Sequence, residues 1–163
     1  MKSTLLYRIA SVVFVLFALG HTAGFLTFRP HSAEGLAVWN AMNNVHFHEA
    51  GGLFSYGGFY LGFGLSISAS TFFLAAVSWH LGNAARRAPA TAVALAWGMF
   101  GLQLAGTVLS FLYFALAPQV LSTLLAALLG WAAWGVQAAS AAEHRQNKTA
   151  AARFERECDS LPA

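Results

Sequence analysis

The chain has 163 residues, of which 58% are hydrophobic and only 9% are charged, whereas soluble domains carry about 25% charged residues. Its 9 basic and 6 acidic side chains are too few to cover a water-soluble globule, so the composition excludes a soluble protein and indicates a membrane protein. The single cysteine, Cys158, excludes an intramolecular disulfide and a Cys-type zinc site, and the net charge of +3 is typical of membrane orientation rather than of nucleic-acid binding.

Four segments of the sequence are long and apolar enough to cross a bilayer as helices, which requires about 20 mostly apolar residues. These predicted spans cover residues 5–28, 53–81, 90–117 and 120–142. Pro89 stands where the third span begins, a position that tolerates proline, and Pro118 predicts a tight turn between the third and fourth spans. The predicted fold is therefore all-α: an antiparallel four-helix transmembrane bundle over residues 1–142, followed by a polar tail over residues 143–163.

The distribution of basic residues predicts the orientation of the spans. Eight of the nine lysines and arginines lie at the start of the first span, between the second and third, or after the fourth, and only Arg29 lies on the other side. The positive-inside rule therefore places both termini and the tail in the cytoplasm. Ala18 and Gly20 also match the cleavage pattern of a signal peptide, but the apolar segment continues to Phe28, so we interpret it as a span.

The connection over residues 29–52 is the longest between the predicted spans, and it contains a helix signal. Ser32 is a suitable N-cap, and Glu34 follows in the first turn. Apolar residues then recur at a spacing of three, at Leu36, Trp39 and Met42. This pattern predicts a short amphipathic helix lying on the outer membrane surface.

Small residues follow one another along the second span at every fourth position. One ladder consists of Gly58, Gly62, Ser66 and Ser70, and the adjoining one of Tyr56, Tyr60, Gly64 and Ser68. Because lipid removes most of the hydrophobic force between helices, small residues that permit close approach provide the main helix contacts in a membrane. The ladders predict a central second helix, and they also fit an accessory or scaffolding subunit that docks a homo-oligomer or another membrane protein.

Polar side chains within the spans are candidate ligand-binding groups, because placing them in lipid is costly. At about 1.5 Å per residue, His21 and Tyr60 lie in the outer half of the bundle and Gln103 lies near its midplane. With Tyr56, they would orient a lipophilic small molecule, such as a lipid, quinone or isoprenoid, against aromatic walls that we assign to Phe17, Phe25, Phe59 and Phe63. This binding function is the leading hypothesis, and the residues identify neither a cofactor nor a reaction. An alternative for His21 is a neutral buried imidazole that bonds to Tyr60 or to a backbone carbonyl.

A metal site is a further hypothesis, based on His46, His48 and Glu49 just before the second span. Two imidazoles and a carboxylate suit zinc, copper or non-haem iron, and His21 offers a third nitrogen, so the motif fits a metal-dependent membrane enzyme. His46 and His48 share a face only where the chain is extended, because on a helix they diverge by about 200°. The alternatives are interfacial histidines without a metal, or a haem held between His21 and His46.

Three stretches of the sequence stand out as motifs: residues 20–25 (GHTAGF), 42–47 (MNNVHF) and 55–65 (SYGGFYLGFGL). They resemble small four-span bacterial membrane proteins that form an uncharacterised family. The resemblance extends to about residue 142. It implies the four-span architecture and the bacterial inner membrane, and it draws attention to His21, His46, Tyr56 and Tyr60 without assigning an activity. The expected partners are the lipid bilayer, a lipophilic small molecule, and a second copy or another membrane protein, with no nucleic acid.

Overall fold

The structure, a computed structural model, describes residues 2–159. Its elements in chain order are α1 (Lys2–Thr27), α2 (Ala33–Asn44), β1 (His46–Glu49), β2 (Gly52–Ser55), α3 (Tyr56–Arg87), α4 (Pro89–Tyr113) and α5 (Leu116–Asp159). The predicted all-α fold is confirmed, since within the described part of the chain only one small hairpin accompanies the helices. Helices α1, α3, α4 and α5 are each long and apolar enough to cross a membrane, which identifies a membrane protein. Residues 160–163 of the predicted tail lie outside the described part.

The ends of the long helices differ from the predicted spans. α3 begins at Tyr56, later than expected, because the residues before it form a β-hairpin. α4 ends at Tyr113, short of its predicted end, so the turn between α4 and α5 comes before Pro118 rather than at it. Pro118 consequently lies inside the first turn of α5, where its missing N–H removes no helical hydrogen bond. α5 also continues beyond residue 142 through most of the predicted tail.

The chain divides into two compact units, which we describe separately. The bundle unit comprises the described residues up to 13 and from 76 onward, so it contains the start of α1, the end of α3, and all of α4 and α5. The hairpin unit comprises Phe14–Ala75, and it contains the end of α1, all of α2, both strands and the start of α3.

Small and apolar side chains at helical spacing fill the bundle unit. The buried positions of α4 recur every three or four residues: Ala92, Ala96, Met99, Gln103, Thr107 and Ser110. Those of α5 include Leu125, Leu129, Ala132, Ala133 and Val136. The Trp97 Nε1 donates to Gln137 Oε1 at 2.8 Å, whereas Gln103 Nε2 donates to the carbonyl of Ser122 at 3.2 Å. Early α4 thus meets late α5, and the two helices run antiparallel.

Within the bundle unit, α1 and α3 approach each other closely at a glycine. A Cβ on Gly82 would lie 3.2 Å from the Tyr7 Cβ and 3.3 Å from the Thr4 carbonyl oxygen. Ser78 donates its hydroxyl to the Tyr7 carbonyl at 2.8 Å. Tyr7 is fully buried, and its own hydroxyl has no hydrogen-bond partner among residues 2–159. The small residues of α3 therefore serve to bring the backbones together, as expected of helices in lipid.

In the hairpin unit, α3 buries the two small residues of one ladder and exposes the whole of the other. Gly64 and Ser68 are buried, and a Cβ on Gly64 would overlap the ring of Phe25 on α1. The other ladder is exposed along its length, at Gly58, Gly62, Ser66 and Ser70. Close packing of α3 against α1 in this unit therefore uses the ladder that contains Gly64.

The hydropathy pattern does not predict the antiparallel hairpin of β1 and β2. Its register pairs His46 with Ser55 and Glu49 with Gly52. Ala50 and Gly51 form the connection, and both have positive φ angles, 49° and 80°. Two consecutive residues with positive φ are typical of the type I′ turn, whose twist matches that of the strands it joins.

The short helix predicted in the outer connection is confirmed as α2. Ser32 caps it, because its Oγ accepts a hydrogen bond from the Gly35 N–H at 3.0 Å, and Glu34 lies in the first turn. Trp39 and Met42 are half-buried, and this side of α2 is the one that contributes to the candidate site.

Candidate ligand pocket

The hairpin unit contains a cavity of about 320 Å³, which we call the aromatic pocket. Three helices supply its walls: the end of α1, the middle and end of α2, and the start of α3. The larger side chains that line it include Phe25, Arg29, Trp39, Asn43 and Tyr60. A volume near 300 Å³ is at the lower end of those that hold small organic ligands.

Three aromatic rings pack together around the aromatic pocket. The Phe25 and Tyr60 ring centroids are 4.9 Å apart, and Trp39 meets Tyr60 edge-on with 6.1 Å between centroids. Phe28 also packs against Trp39, again with 6.1 Å between centroids. Contacts of this kind stabilise by about 0.5–1.5 kcal/mol beyond the buried area, so they hold the walls in place.

Polar groups stand beside these rings. The Arg29 guanidinium carbon lies 5.3 Å from the centre of the Trp39 ring, and Arg29 Nη1 donates to the Phe28 carbonyl at 2.9 Å. Asn43 Nδ2 donates to the Trp39 carbonyl at 2.8 Å. A Cβ on Gly57 would overlap the present position of the Asn43 side chain, so glycine lets the two residues approach closely. The pocket therefore combines an apolar wall with one cation.

His21 lies behind the Phe25 ring rather than in the aromatic pocket. The imidazole stacks on Phe25 with 5.7 Å between centroids and 7° between planes. Its Nδ1 is 3.1 Å from Ser68 Oγ, which also accepts a hydrogen bond from Thr22 Oγ1 at 2.7 Å. For a buried His21 the sequence suggests Tyr60 or a backbone carbonyl as the hydrogen-bond partner. In the structure the partner is instead the Ser68 hydroxyl. Nε2 has no hydrogen-bond partner among the described residues, which leaves it available to another group.

The structure does not gather the four predicted ligand-binding residues into one cavity. Tyr60 lines the aromatic pocket, and His21 supports it through Phe25. Tyr56 is exposed and packs on Phe47 with 4.9 Å between ring centroids. Gln103 lies in the bundle unit, where its amide is bonded to a backbone carbonyl as described above.

The predicted aromatic walls are also divided. Phe25 lines the aromatic pocket, and Phe17 meets the edge of His21 with 6.4 Å between centroids. Phe59 and Phe63 instead border a separate apolar groove on α3, beside the exposed small residues Gly58 and Gly62.

The predicted metal ligands lie on the hairpin, which is the extended conformation that a shared face requires. His46 and His48 lie on the same face of β1, and Glu49 lies on the opposite face. His46 Nδ1 is 2.9 Å from the carbonyl oxygen of Asn44. No group of three His, Cys, Asp or Glu side chains within residues 2–157 is placed to hold a metal ion.

Of the five side chains named above for the aromatic pocket, three do not appear among the site residues proposed from the sequence: Arg29, Trp39 and Asn43. Arg29 carries a signal, since it is the one basic residue predicted outside the cytoplasmic side. Trp39 is part of the apolar stripe of α2, but the stripe alone does not show that it faces Tyr60. No sequence signal marks Asn43.

The chain matches no family model, no curated protein and no solved structure. The resemblance to uncharacterised four-span bacterial proteins therefore stays a prediction. Function is inferred from the cavity and side chains described above.

Proposed function

We propose that the protein binds a lipophilic small molecule, such as a lipid, quinone or isoprenoid, in the aromatic pocket. The observation that carries the proposal is a cavity of about 320 Å³ walled by Phe25, Trp39 and Tyr60, with the Arg29 guanidinium beside them. Small-molecule sites have this composition: mostly aromatic and apolar lining with a few polar groups that fix orientation.

The polar groups give the bound molecule a direction. Its apolar part packs against the three rings, while its polar part lies beside Arg29 and Asn43. Trp39 holds the Arg29 side chain by a cation–π contact, so little side-chain entropy is lost when a ligand binds. The Tyr60 hydroxyl makes no hydrogen bond with the described residues, and it is therefore available to an oxygen of the ligand.

His21 acts through Phe25 in this proposal. Its hydrogen bond to Ser68 and its stacking on Phe25 fix the inner wall of the pocket from behind. We also propose that the protein lies in a bacterial inner membrane with both termini in the cytoplasm, which puts Arg29 and the pocket at the outer surface.

The proposal is tested by purifying the protein in mild detergent and identifying extracted compounds by mass spectrometry. We expect a discrete lipophilic compound with the wild type and about tenfold less with Trp39→Ala, because an aromatic wall is lost. Trp131→Ala is the matched control, since Trp131 is 72% exposed on α5 and belongs to the other unit. Equal recovery from the two variants, or none from the wild type, contradicts the proposal.

A second candidate function is an accessory subunit that docks another membrane helix. The observation favouring it is the exposed ladder of Gly58, Gly62, Ser66 and Ser70. No other element of residues 2–159 comes within 4 Å of the position that a Gly62 Cβ would occupy. Phe59 and Phe63 flank this ladder and give it a groove of about 420 Å³. In lipid, such a surface permits a second helix to approach closely.

This second function is tested by crosslinking in native membranes. Gly62→Leu fills the groove, and we expect it to abolish crosslinks between two copies or to a larger partner. Gly101→Leu is the control, because Gly101 is also exposed and free of neighbours within 4 Å among the described residues, but lies on α4. If the wild-type protein forms no crosslink to a second copy or to another protein, the docking function is excluded.

A further inference from the structure

A second cavity, of about 220 Å³, lies in the bundle unit between the start of α1 and the end of α3. Thr4, Leu5, Arg8 and Arg86 line it, and we call it the basic cleft. It belongs to a different unit from the aromatic pocket and shares no residue with it. Its chemistry is also different, because two guanidinium groups and a hydroxyl replace the aromatic walls.

The cleft is built by the close approach of α1 and α3 at Gly82. A Cβ at Gly82 would be in tight contact with the Thr4 backbone, and the close approach places the neighbouring turns of the two helices side by side. The Arg8 guanidinium carbon then lies 4.9 Å from the centre of the Trp79 ring on α3. Arg8 thus contacts α3 through its guanidinium group, although the residue as a whole stays exposed.

The charged side chains on the two helix segments that form the basic cleft are all basic. The sequence contains no Asp or Glu within residues 1–13 or 76–87, while Lys2 and Arg87 add to the two arginines of the cleft. Arg86 makes no hydrogen bond or ion pair with the described residues. Two cations that share a cavity repel each other, and a bound anion would convert that repulsion into attraction. Arginine pairs of this kind recognise phosphate by forked hydrogen bonds.

An apolar ridge on α1 runs away from the cleft. Leu5 lines the cleft and is 60% exposed, and Ile9 and Val12 are exposed as well. On a helix, Ile9 and Val12 lie within about 40° of Leu5, so the three side chains form one continuous strip. A free phosphate would use only the cleft, whereas a phospholipid would also place an acyl chain along this strip.

We propose that the basic cleft binds the phosphodiester headgroup of an anionic phospholipid, with one acyl chain along Leu5, Ile9 and Val12. Arg8 and Arg86 hold the phosphate, and the Thr4 hydroxyl donates to one of its oxygens. Basic pockets between membrane helices are suited to such headgroups because the cation pair matches the phosphate charge at the edge of the apolar region. Binding here is independent of the aromatic pocket.

The test is native mass spectrometry of the full chain in micelles containing equal amounts of phosphatidylglycerol and phosphatidylcholine. We expect the wild type to retain one phosphatidylglycerol in preference to phosphatidylcholine. Arg86→Gln should reduce that retention about tenfold or more, because a charge-assisted contact to phosphate is lost. Arg87→Gln is the matched control, since it removes the same charge from the next position outside the cleft.

Two further arms make the result decisive. Arg86→Lys keeps the positive charge but loses the bidentate hydrogen bonds of a guanidinium. Its retention of phosphatidylglycerol should therefore fall between those of the wild type and Arg86→Gln. Added inorganic phosphate and glycerol phosphate distinguish a lipid from a free anion, and neither should displace the lipid at millimolar concentration. Equal retention by Arg86→Gln and Arg87→Gln, equal retention of phosphatidylcholine, or displacement by free phosphate overturns the assignment. A monodisperse elution profile checks that each variant is folded.

Discussion

The two units differ in what their helices bury. In the bundle unit, α4 and α5 bury apolar and small side chains along their contact, as Leu125, Leu129 and Ala132 illustrate. In the hairpin unit, the side chains buried by α1 and α3 are few and mostly small, and the aromatic rings of Phe25, Trp39 and Tyr60 surround a cavity instead. We propose from this comparison that the buried contacts of the bundle unit mainly stabilise the protein, whereas the cavity of the hairpin unit binds the ligand. Four substitutions test or sharpen this division.

The largest expected effect is on the stability of the bundle unit. Leu129→Ala should lower the free energy of unfolding by about 2–4 kcal/mol, because Leu129 is fully buried and its removal leaves a cavity. Equilibrium unfolding in mixed detergent micelles measures the change. Leu124→Ala, on the same helix but 45% exposed, is the control and should lose much less. Similar losses for both leucines would mean that the bundle unit does not depend on its buried contact.

Adding a methyl group in the hairpin unit should have the next largest effect on the free energy of unfolding. Gly64→Ala places a Cβ against the Phe25 ring, and we expect a loss of about 1–3 kcal/mol as the ring is displaced. The displaced ring should also reduce ligand recovery in the extraction assay. Gly62→Ala, two residues away on the exposed ladder, serves as the reference. If both alanine variants behave alike, Phe25 does not form a fixed wall.

Removing the positive charge of the aromatic pocket should weaken the binding of anionic ligands about tenfold. Arg29→Gln removes the cation beside Trp39, so it should weaken binding of an amphiphile with an anionic head and leave a neutral quinone nearly unaffected. Titration with one ligand of each class, followed by intrinsic tryptophan fluorescence, measures the difference. An equal loss of affinity for the anionic and the neutral ligand would show that Arg29 shapes the pocket rather than recognises the ligand's charge.

The smallest expected effect concerns the buried hydroxyl of Tyr7. Its oxygen has no hydrogen-bond partner among residues 2–159, so burying it is unfavourable. Tyr7→Phe should therefore be neutral or raise the free energy of unfolding by up to about 1 kcal/mol, with the ring contacts retained. Unfolding in the same micelles measures it. A marked loss of stability would show that the hydroxyl has a partner, such as a buried water.

The sequence predicts the fold because membrane helices are specified locally. Length and hydropathy locate the four long helices, and the Ser32 cap and Glu34 locate α2. The hairpin is missed because its strands have only four residues each and its turn places Ala50, not an asparagine or glycine, at a positive φ. The true start of α5 is missed because a proline fits the first turn of a helix as well as a loop.

The candidate site is less predictable, because it depends on how α2 folds back. Tyr60 is identified from its polar group within a span, a property of the residue itself. Trp39 and Asn43 become relevant only once α2 is placed beside α1 and α3, and neither spacing nor composition specifies that placement. His21 is found as a polar residue in lipid, but its partner Ser68 lies on another helix and is visible only in the structure.

The central claim is that the aromatic pocket holds a lipophilic molecule in the membrane. Its most direct test introduces a photoreactive benzophenone amino acid in place of Asn43, irradiates native membranes, and measures the intact mass of the chain. The same residue in place of Val108, which is exposed on α4, reports background reaction with surrounding lipid. We expect a discrete small-molecule adduct at position 43 that is absent from position 108. No adduct at position 43, or the same mixture of lipids at both positions, would contradict the account.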